Sequence, residues 1–298
     1  MAENVYGRIS SNKRNSVILF VLFVVLIAFL GVVLGAVWGD IFLGAGIAIV
    51  VSIIFVLISY YNSDSIVLAI SKARPADPKE FPFLYNSVEG LAIAAGIPMP
   101  KIYVIDDTAI NAFASGRDPE HSVIVVTTGA VQRLKRLELE GVIAHEMSHI
   151  KNYDVRFMTI VVVLVGIAAL VSDLILRSMF WGSRGSRREA EKGWFVLVII
   201  GIVLAILTPI IAQLVKFAIS RKREFLADAD GALLTRYPQG LADALKKINA
   251  DKEPLEAANK ATEHLYISNP LKAHGGWLDN LFSTHPPIQE RIKALEAM

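Results

Sequence analysis

The sequence has no cysteine among its 298 residues, and only 19% of its residues carry a charge. The lack of cysteine excludes a disulfide scaffold, a thiol nucleophile and any metal site that uses thiolate ligands. Any metal must therefore be held by histidine or carboxylate side chains. The 30 basic and 28 acidic residues nearly cancel, which argues against a dedicated nucleic-acid-binding protein.

Apolar residues make up 54% of the chain, and much of this content lies in four long stretches. Soluble domains are usually about 25% charged, so the composition favours a membrane protein. Crossing about 30 Å of hydrocarbon takes roughly 20 helical residues, and each stretch is long enough. Together they predict two transmembrane hairpins. The stretches run from Ser16 to Trp38, Ile41 to Tyr61, Phe157 to Leu176 and Trp194 to Val215.

The first stretch has an alternative interpretation as a cleaved signal peptide, since Arg8, Lys13 and Arg14 precede it. Its apolar run exceeds the usual ~7–15 residues of a signal sequence and a second stretch follows at once, so an uncleaved anchor is favoured. Basic residues flank the stretches mostly on one side, which by the positive-inside rule places both termini and both polar segments in the cytoplasm. The basic loop 177–193 conflicts with this, unless it is translocated despite its charge or the last two stretches do not fully cross.

The two polar segments differ in their predicted secondary structure. Segment 62–156 contains β-branched runs that predict strands at Lys101–Ile105 and Ser122–Thr127, with a third possible strand at Ala109–Ser115. Apolar residues then recur at helical spacing as far as Asn152. The segment 216–298 is expected to be mostly helical, with breaks at its glycine and proline positions.

Residues 145–149 read His-Glu-Met-Ser-His within the predicted helix. His145 and His149 are four positions apart, so both imidazoles leave one helical face and can bind one zinc ion. Glu146 then projects beside the metal, where it can hold and deprotonate a water molecule. About 0.006 such matches are expected by chance in a shuffled chain of this composition, so two unrelated surface histidines are the less favoured interpretation.

A hydrolytic zinc ion needs a third protein ligand and an open position for water. No histidine follows at the spacing of a metzincin. Glu224 and Asp228 lie four apart in a predicted helix, so Glu224 could bind zinc and Asp228 could accept the free ring N–H of a ligand histidine. By spacing alone, a solvated helix face beside Arg221 and Arg223 is the simpler interpretation of this pair.

Taken together, three motifs give a resemblance to the HtpX group of membrane zinc metalloproteases, which is related to the type I CAAX prenyl proteases and belongs to the gluzincin class. The motifs are HEMSHIKNYD at 145–154, REFLADADGA at 223–232 and STHPPIQER at 283–291, with a hydrophobic hairpin between the first two. The resemblance covers nearly the whole chain. It implies that Glu224 is the third zinc ligand and that Asp228 supports a ligand histidine.

The same resemblance implies residues that bind or act on the substrate. Asn111, Ala112 and Phe113 resemble the substrate-binding edge strand of the family, beside which an extended peptide adds through backbone hydrogen bonds. His285 matches a histidine that is thought to stabilise the oxyanion, and Arg291 matches its accompanying arginine. Without the resemblance, Asn111 would be read as a turn residue and His285 as a loop-capping side chain.

The predicted fold is an integral membrane helical protein with four spans in two hairpins, plus an α+β gluzincin-like metalloprotease domain. The metal assignment and the span count support each other, because the zinc ligands lie on both sides of the second hairpin. They can meet only if that hairpin returns to its starting side. The predicted parts are an N-terminal transmembrane hairpin (1–61), the first part of the protease domain (62–156), a second hydrophobic hairpin (157–215) and the second part of the protease domain (216–298).

The predicted function is that of a membrane-bound zinc endopeptidase with one Zn²⁺ per chain. The resemblance implies protein quality control in the stress response, with unfolded or misfolded membrane proteins as substrates. It places a multi-pass protein in the plasma (inner) membrane with its active site facing the cytoplasm; no nucleic-acid partner is expected, and the oligomeric state is open. A CAAX-type prenyl-protein protease is an alternative, as is a non-enzymatic membrane scaffold with structural zinc, which would need a fourth protein ligand. A transporter would need ionisable residues at mid-bilayer, and these stretches carry almost none.

Overall fold

The computed structural model describes residues 5–162, 221–258, 262–270 and 286–298. The third and fourth apolar stretches, the loop 177–193 and His285 lie outside the described residues. The helices are α1 (Val5–Trp38), α2 (Ile41–Tyr61), α3 (Ser63–Ile70), α4 (Pro82–Ala95), α5 (Thr128–Arg133), α6 (Arg136–Lys151), α7 (Arg221–Thr235), α8 (Pro238–Ala250) and α9 (Ile288–Glu296). The strands are β1 (Arg74–Pro75), β2 (Lys101–Ile105), β3 (Ala112–Asp118) and β4 (His121–Thr127).

Helices α1 and α2 form the predicted N-terminal hairpin. The turn is closed by Gly39, whose φ of 91° suits glycine, and by Asp40, whose side chain accepts a hydrogen bond from the Leu43 amide at 2.9 Å. Both helices are long and apolar enough to cross a membrane. In their most apolar windows only 17% and 11% of the residues are buried within the protein. Their apolar surfaces therefore face outward, as expected of lipid-exposed helices rather than of core helices.

Glycines allow the two hairpin helices to approach closely. A Cβ atom added at Gly44 would lie 2.3 Å from the carbonyl oxygen of Gly31 and 2.6 Å from the Cα atom of Gly35. Gly31 and Gly35 are one helical turn apart, so the contact follows the small-residue pattern that lets membrane helices pack backbone to backbone. The hairpin is thus a single packed unit.

The four strands form one mixed sheet in the order β1-β2-β4-β3. Strands β2 and β4 are parallel, while β1 and β3 pair antiparallel with their neighbours. Strand β3 begins at Ala112, three residues later than the sequence predicts. The reason is that the preceding turn is held by side chains, because Thr127 Oγ1 donates to the carbonyl oxygen of Ala109 at 2.6 Å and accepts from the amide of Asn111 at 3.0 Å. In the strand order given above, β3 lies at an edge of the sheet.

Helix α6 crosses beneath this edge strand and is buried along most of its length. The helical pattern from residue 131 to 152 is interrupted, because Leu134 and Lys135 adopt extended backbone and separate α5 from α6. The side chain of Glu138 starts the new helix by accepting the amide of Lys135 at 2.6 Å. Glu138 also accepts a hydrogen bond from Lys247 at 2.6 Å, which ties α6 to α8. Helix α6 is thereby fixed between the sheet and the C-terminal helices.

Candidate metal centre

Three side chains converge where α6 faces α7. His145 and His149 leave the same face of α6, and their Nε2 atoms lie 3.2 Å apart. Glu224, in the first turn of α7, places its carboxylate oxygens 3.8 Å from His145 Nε2 and 3.6 Å from His149 Nε2. All three residues are buried. The structure therefore brings together the three predicted metal ligands, although 75 positions separate His149 from Glu224 in the sequence.

The donor set fits a zinc ion. Tetrahedral zinc with bonds of about 2.0–2.1 Å to nitrogen and oxygen holds its ligand atoms roughly 3.3–3.4 Å apart. The three ligand atoms here all lie within 4.8 Å of one another. Two imidazoles and one glutamate form a known catalytic zinc set, which leaves a fourth position for water. Among the described residues, no fourth histidine, aspartate or glutamate joins this cluster.

Buried carboxylates fix the orientation of both histidine rings. His145 Nδ1 lies 2.9 Å from Asp228 Oδ1, and His149 Nδ1 lies 3.0 Å from Asp154 Oδ2. Each Nδ1 is therefore the protonated nitrogen that donates to a carboxylate, and each Nε2 lone pair points toward the metal position. Two Nε2 lone pairs at 3.2 Å repel each other unless a cation or a proton lies between them. Both rings are thus arranged for a shared cation.

The charges around the metal position match this arrangement. Burial by itself lowers the pKa of His149, but the hydrogen bond that its ring donates to Asp154 and the charge of Glu224 outweigh burial and raise the pKa to about 9. Burial also lowers the pKa of His145, and there it prevails over the opposing hydrogen bond with Asp228. The two shifts therefore have opposite directions, which makes His149 the more basic of the two rings.

Arg291, from α9, holds Asp228 in place. Its Nε and Nη2 atoms donate to the two oxygens of Asp228 at 2.8 and 2.7 Å. Burial raises the pKa of Asp228, but the charge and hydrogen bonds of Arg291 more than offset this and lower the pKa to about 2. Arg291 is itself only 1% exposed. Asp228 therefore stays ionised and available to the N–H of His145.

Glu146 lies beside the three predicted ligands but is not part of their cluster. It is 2% exposed, and burial raises its pKa to about 7, with a further upward contribution from the charge of Glu224. The backbone of Ala114 in β3 acts in the opposite direction and lowers this pKa, but it does not outweigh burial. A carboxylate with a pKa near neutrality suits a general base, because it can both accept and return a proton at the working pH.

A glycine permits the close approach of α7 to α6. A Cβ atom added at Gly231 would lie 3.0 Å from the amide nitrogen of His145 and 3.2 Å from the carbonyl carbon of Ala144. Such contacts are tighter than ordinary van der Waals distance, so a larger residue would push the two helices apart. Gly231 therefore helps set the distance between the histidines of α6 and the glutamate of α7.

The edge strand that was predicted to bind a substrate lies next to the site, and another segment of the same chain is hydrogen-bonded to it. The amide of Ile267 donates to the carbonyl oxygen of Ala112 at 3.0 Å, and Asn111 Nδ2 donates to the carbonyl oxygen of Ser268 at 3.2 Å. Arg291 Nη1 donates to the carbonyl oxygen of Ile267 at 2.9 Å. The ring of Phe113 points into the core, where it packs edge-to-face on Tyr266. Residues 266–268 therefore run along β3 at the groups that were predicted to bind a substrate.

The sequence reasoning missed two residues that support the site. Asp154 closes the HEMSHIKNYD motif and was given no role, although an acid five positions after a ligand histidine is a candidate partner for its ring. Asn12 of α1 contacts Asp154, and no local pattern points to it, since 142 positions separate the two residues. His121 is exposed and pairs with Asp118, while His264 is buried beside the carbonyl of Met158; neither belongs to the metal cluster.

The chain also matches known proteins in sequence. The sequence profile of peptidase family M48 matches residues 78–298. The chain is 49% identical over 297 residues to "Protease HtpX homolog" of Dictyoglomus thermophilum, covering 98% of this chain and 94% of that protein. It is 41% identical over 303 residues to "Protease HtpX homolog" of Listeria monocytogenes, covering 98% of this chain and 99% of that protein.

The fold is also similar to that of a solved protein structure. The crystal structure of S. mikatae Ste24p matches with a TM-score of 0.51 and 22% sequence identity. The match covers 91% of this chain and 62% of that chain, so the present chain corresponds to less than two thirds of the larger protein. At this identity the likeness concerns the fold alone. From the profile match and the near full-length relatives, the chain belongs to peptidase family M48, within its HtpX group of membrane metalloproteases.

Proposed function

We propose that the chain is a zinc-dependent endopeptidase that hydrolyses peptide bonds beside the membrane, with one zinc ion held by His145, His149 and Glu224. The observation that carries this proposal is the convergence of three buried ligand atoms within 4.8 Å of one another. When bound, zinc supplies a coordinated water with a pKa of about 7 and a positive charge that polarises the peptide carbonyl. The absence of a fourth ligand among the described residues favours a catalytic site over a structural one.

Glu146 carries the proton transfers of the proposed reaction. Its carboxylate accepts a proton from the attacking water as the water oxygen bonds to the carbonyl carbon. The same carboxyl then gives this proton to the amine as the carbon–nitrogen bond breaks, so the residue returns to its starting state. The burial and the raised pKa of Glu146, about 7, suit both steps. For His285 we retain the role implied by the resemblance, which is to stabilise the negative charge on the carbonyl oxygen.

The substrate is proposed to bind as an extended strand along β3. The carbonyl of Ala112, the side-chain amide of Asn111 and the guanidinium of Arg291 would bind its backbone, as β-augmentation requires. These same groups now hold residues 266–268. The chain's own segment thus stands where a peptide would bind, and it has to leave before a substrate can add to the strand. The side chain of Phe113 would support the strand from the core.

The second hairpin and the orientation are proposed from the sequence. Four spans in two hairpins would place both parts of the protease domain, 62–156 and 216–298, at the cytoplasmic face of the plasma (inner) membrane. In the described part of the chain, Arg117 connects the domain to the hairpin by donating to the carbonyl oxygen of Tyr61 at 2.9 Å. A metal centre close to the bilayer is consistent with misfolded membrane proteins as substrates and with a role in the stress response.

Replacing Glu146 with glutamine tests the proposal. The full-length protein in detergent is assayed for casein cleavage and for self-cleavage, and its zinc content is measured in parallel. We expect the Glu146→Gln protein to retain one zinc ion per chain and to lose cleavage, because glutamine cannot accept the proton. Cleavage by a protease-free preparation of this variant would contradict the proposed mechanism, and absence of zinc from the wild type would contradict the metal assignment.

A further inference from the structure

Helix α1 extends beyond the apolar stretch and docks its polar N-terminal turns onto the protease domain. The helix begins at Val5, although the apolar stretch begins only at Ser16. Asn12, on one of these turns, is 6% exposed. Its Nδ2 atom donates to Asp154 Oδ1 at 2.7 Å and to the carbonyl oxygen of Asn152 at 2.9 Å. The ammonium of Lys13 lies 4.2 Å from the centre of the Tyr153 ring.

Two hydrogen bonds, with Asp154 between them, connect Asn12 to His149 of the candidate metal centre. The two oxygens of Asp154 have different partners, since Oδ1 accepts from Asn12 while Oδ2 lies 3.0 Å from Nδ1 of His149. A carboxylate held at both oxygens cannot rotate, so Asn12 fixes the direction in which Asp154 meets the histidine ring. Asn12 is itself held through its side-chain oxygen, because Arg223 Nη1 donates to Asn12 Oδ1 at 3.4 Å. Arg223 precedes Glu224 directly, so the same amide side chain contacts both ligand-bearing parts of the site.

We propose that Asn12 is a positioning residue for the metal centre. Through Asp154 it orients His149, so the site reaches full metal affinity only when the first membrane helix is docked on the protease domain. This inference rests on the proposed role of His149 as a zinc ligand. Since coupling between two sites is reciprocal, zinc binding also strengthens the docking of α1. Membrane anchoring and metal affinity are then linked through three residues.

Zinc affinity is the measurement that tests this proposal, with Asn15→Ala as the matched control. Asn15 lies one turn from Asn12 on the same helix and has no contact with Asp154 among the hydrogen bonds of the described residues. Zinc affinity of the full-length protein in detergent is measured by competition with a chelator. Loss of outer-shell partners typically weakens metal affinity about 10–100-fold. We expect Asp154→Ala to fall in that range, Asn12→Ala to weaken affinity about 5–10-fold, and Asn15→Ala to have no effect.

The double variant shows whether Asn12 acts through Asp154. We expect Asn12→Ala/Asp154→Ala to bind zinc as tightly as Asp154→Ala alone, because the loss of Asp154 already removes the hydrogen bond through which Asn12 acts on His149. An unchanged zinc affinity in Asn12→Ala, or an undiminished effect of Asn12→Ala on the Asp154→Ala background, would overturn the proposal. If His149→Ala binds zinc as well as the wild type, the ligand assignment itself fails, which is a distinct result.

Hydrogen exchange gives a second measurement that does not depend on a variant of Asn12. Zinc should slow the exchange of backbone amides in the first turns of α1 in the wild type. The slowing should be smaller in Asp154→Ala, in which the hydrogen bond between Asn12 and the partner of His149 is lost. Equal exchange with and without zinc in the wild type would overturn the coupling, even if the Asn12 variants were too unstable to purify.

Discussion

Replacing Ile267 with proline should raise the rate of peptide cleavage. The substitution removes the amide that donates to the carbonyl oxygen of Ala112 in β3. The preceding residue, Tyr266, has φ −72° and ψ 148°, which are backbone angles that suit a residue before proline. The change therefore loosens residues 266–268 from the edge strand without imposing a new conformation on Tyr266. It leaves the three predicted metal ligands unchanged.

The expected size of the effect follows from one hydrogen bond. Such a bond contributes about 0.5–1.5 kcal/mol to the state that contains it. A change of 1 kcal/mol alters an equilibrium constant roughly fivefold. If the groove is mostly occupied by residues 266–268, the fraction of molecules open to a peptide rises by this factor, and apparent substrate affinity rises with it. We expect kcat/KM to increase about fivefold, within roughly 2–12-fold.

The assay uses a quenched fluorescent peptide and the full-length protein in detergent. Ile267→Val is the matched control, because it keeps the amide and should stay within about twofold of the wild type. A synthetic peptide with the sequence of residues 264–269 should inhibit the Ile267→Pro protein more strongly than the wild type. An unchanged or lower kcat/KM in Ile267→Pro, with zinc affinity and Tm equal to those of the wild type, would refute the view that this segment occupies the substrate site.

Three further outcomes follow from the metal centre. Asp228→Asn should weaken zinc affinity about 10–100-fold, because asparagine supports the ring of His145 less well; chelator competition measures this. Gly231→Ala should also weaken zinc binding, because the added methyl group separates α6 from α7. The control is Gly90→Ala in α4, where the added Cβ atom meets open space. This control should keep the zinc affinity of the wild type and raise the free energy of unfolding in urea by about 0.5–1 kcal/mol. Zinc binding at pH 7 should release about one proton from His149, because the pKa of this residue is raised to about 9. The number of protons released should decline above pH 9. Calorimetry in buffers of different ionisation enthalpy measures this number, and a value of zero at pH 7 would contradict the prediction.

The elements that sequence predicts best are those specified locally. Helix α2 spans Ile41–Tyr61 as predicted, because its apolar run is uninterrupted and Asp40 caps it. Strand β2 matches Lys101–Ile105, since β-branched residues fill it. Helix α1 is longer than its apolar stretch, because its first turns are stabilised by contacts with the protease domain rather than by lipid. Hydropathy carries no signal for such a contact.

The residues of the candidate site also differ in whether the local sequence is enough to predict them. His145, Glu146 and His149 can be assigned from spacing on one helix, since the i,i+4 geometry is local. Glu224 needed the family resemblance, because its spacing to Asp228 is also that of a solvated helix face. Asp154, Asn12 and the segment 266–268 were missed, since each meets the site through long-range hydrogen bonds whose partners only the folded chain brings together.

The central claim is that one zinc ion binds between α6 and α7. The most direct measurement is a crystal structure of the zinc-loaded protein with data collected on both sides of the zinc absorption edge. We predict a single anomalous peak per chain, about 2.0–2.2 Å from His145 Nε2, His149 Nε2 and a carboxylate oxygen of Glu224. A peak at another position, or none at these three residues, would contradict the claim.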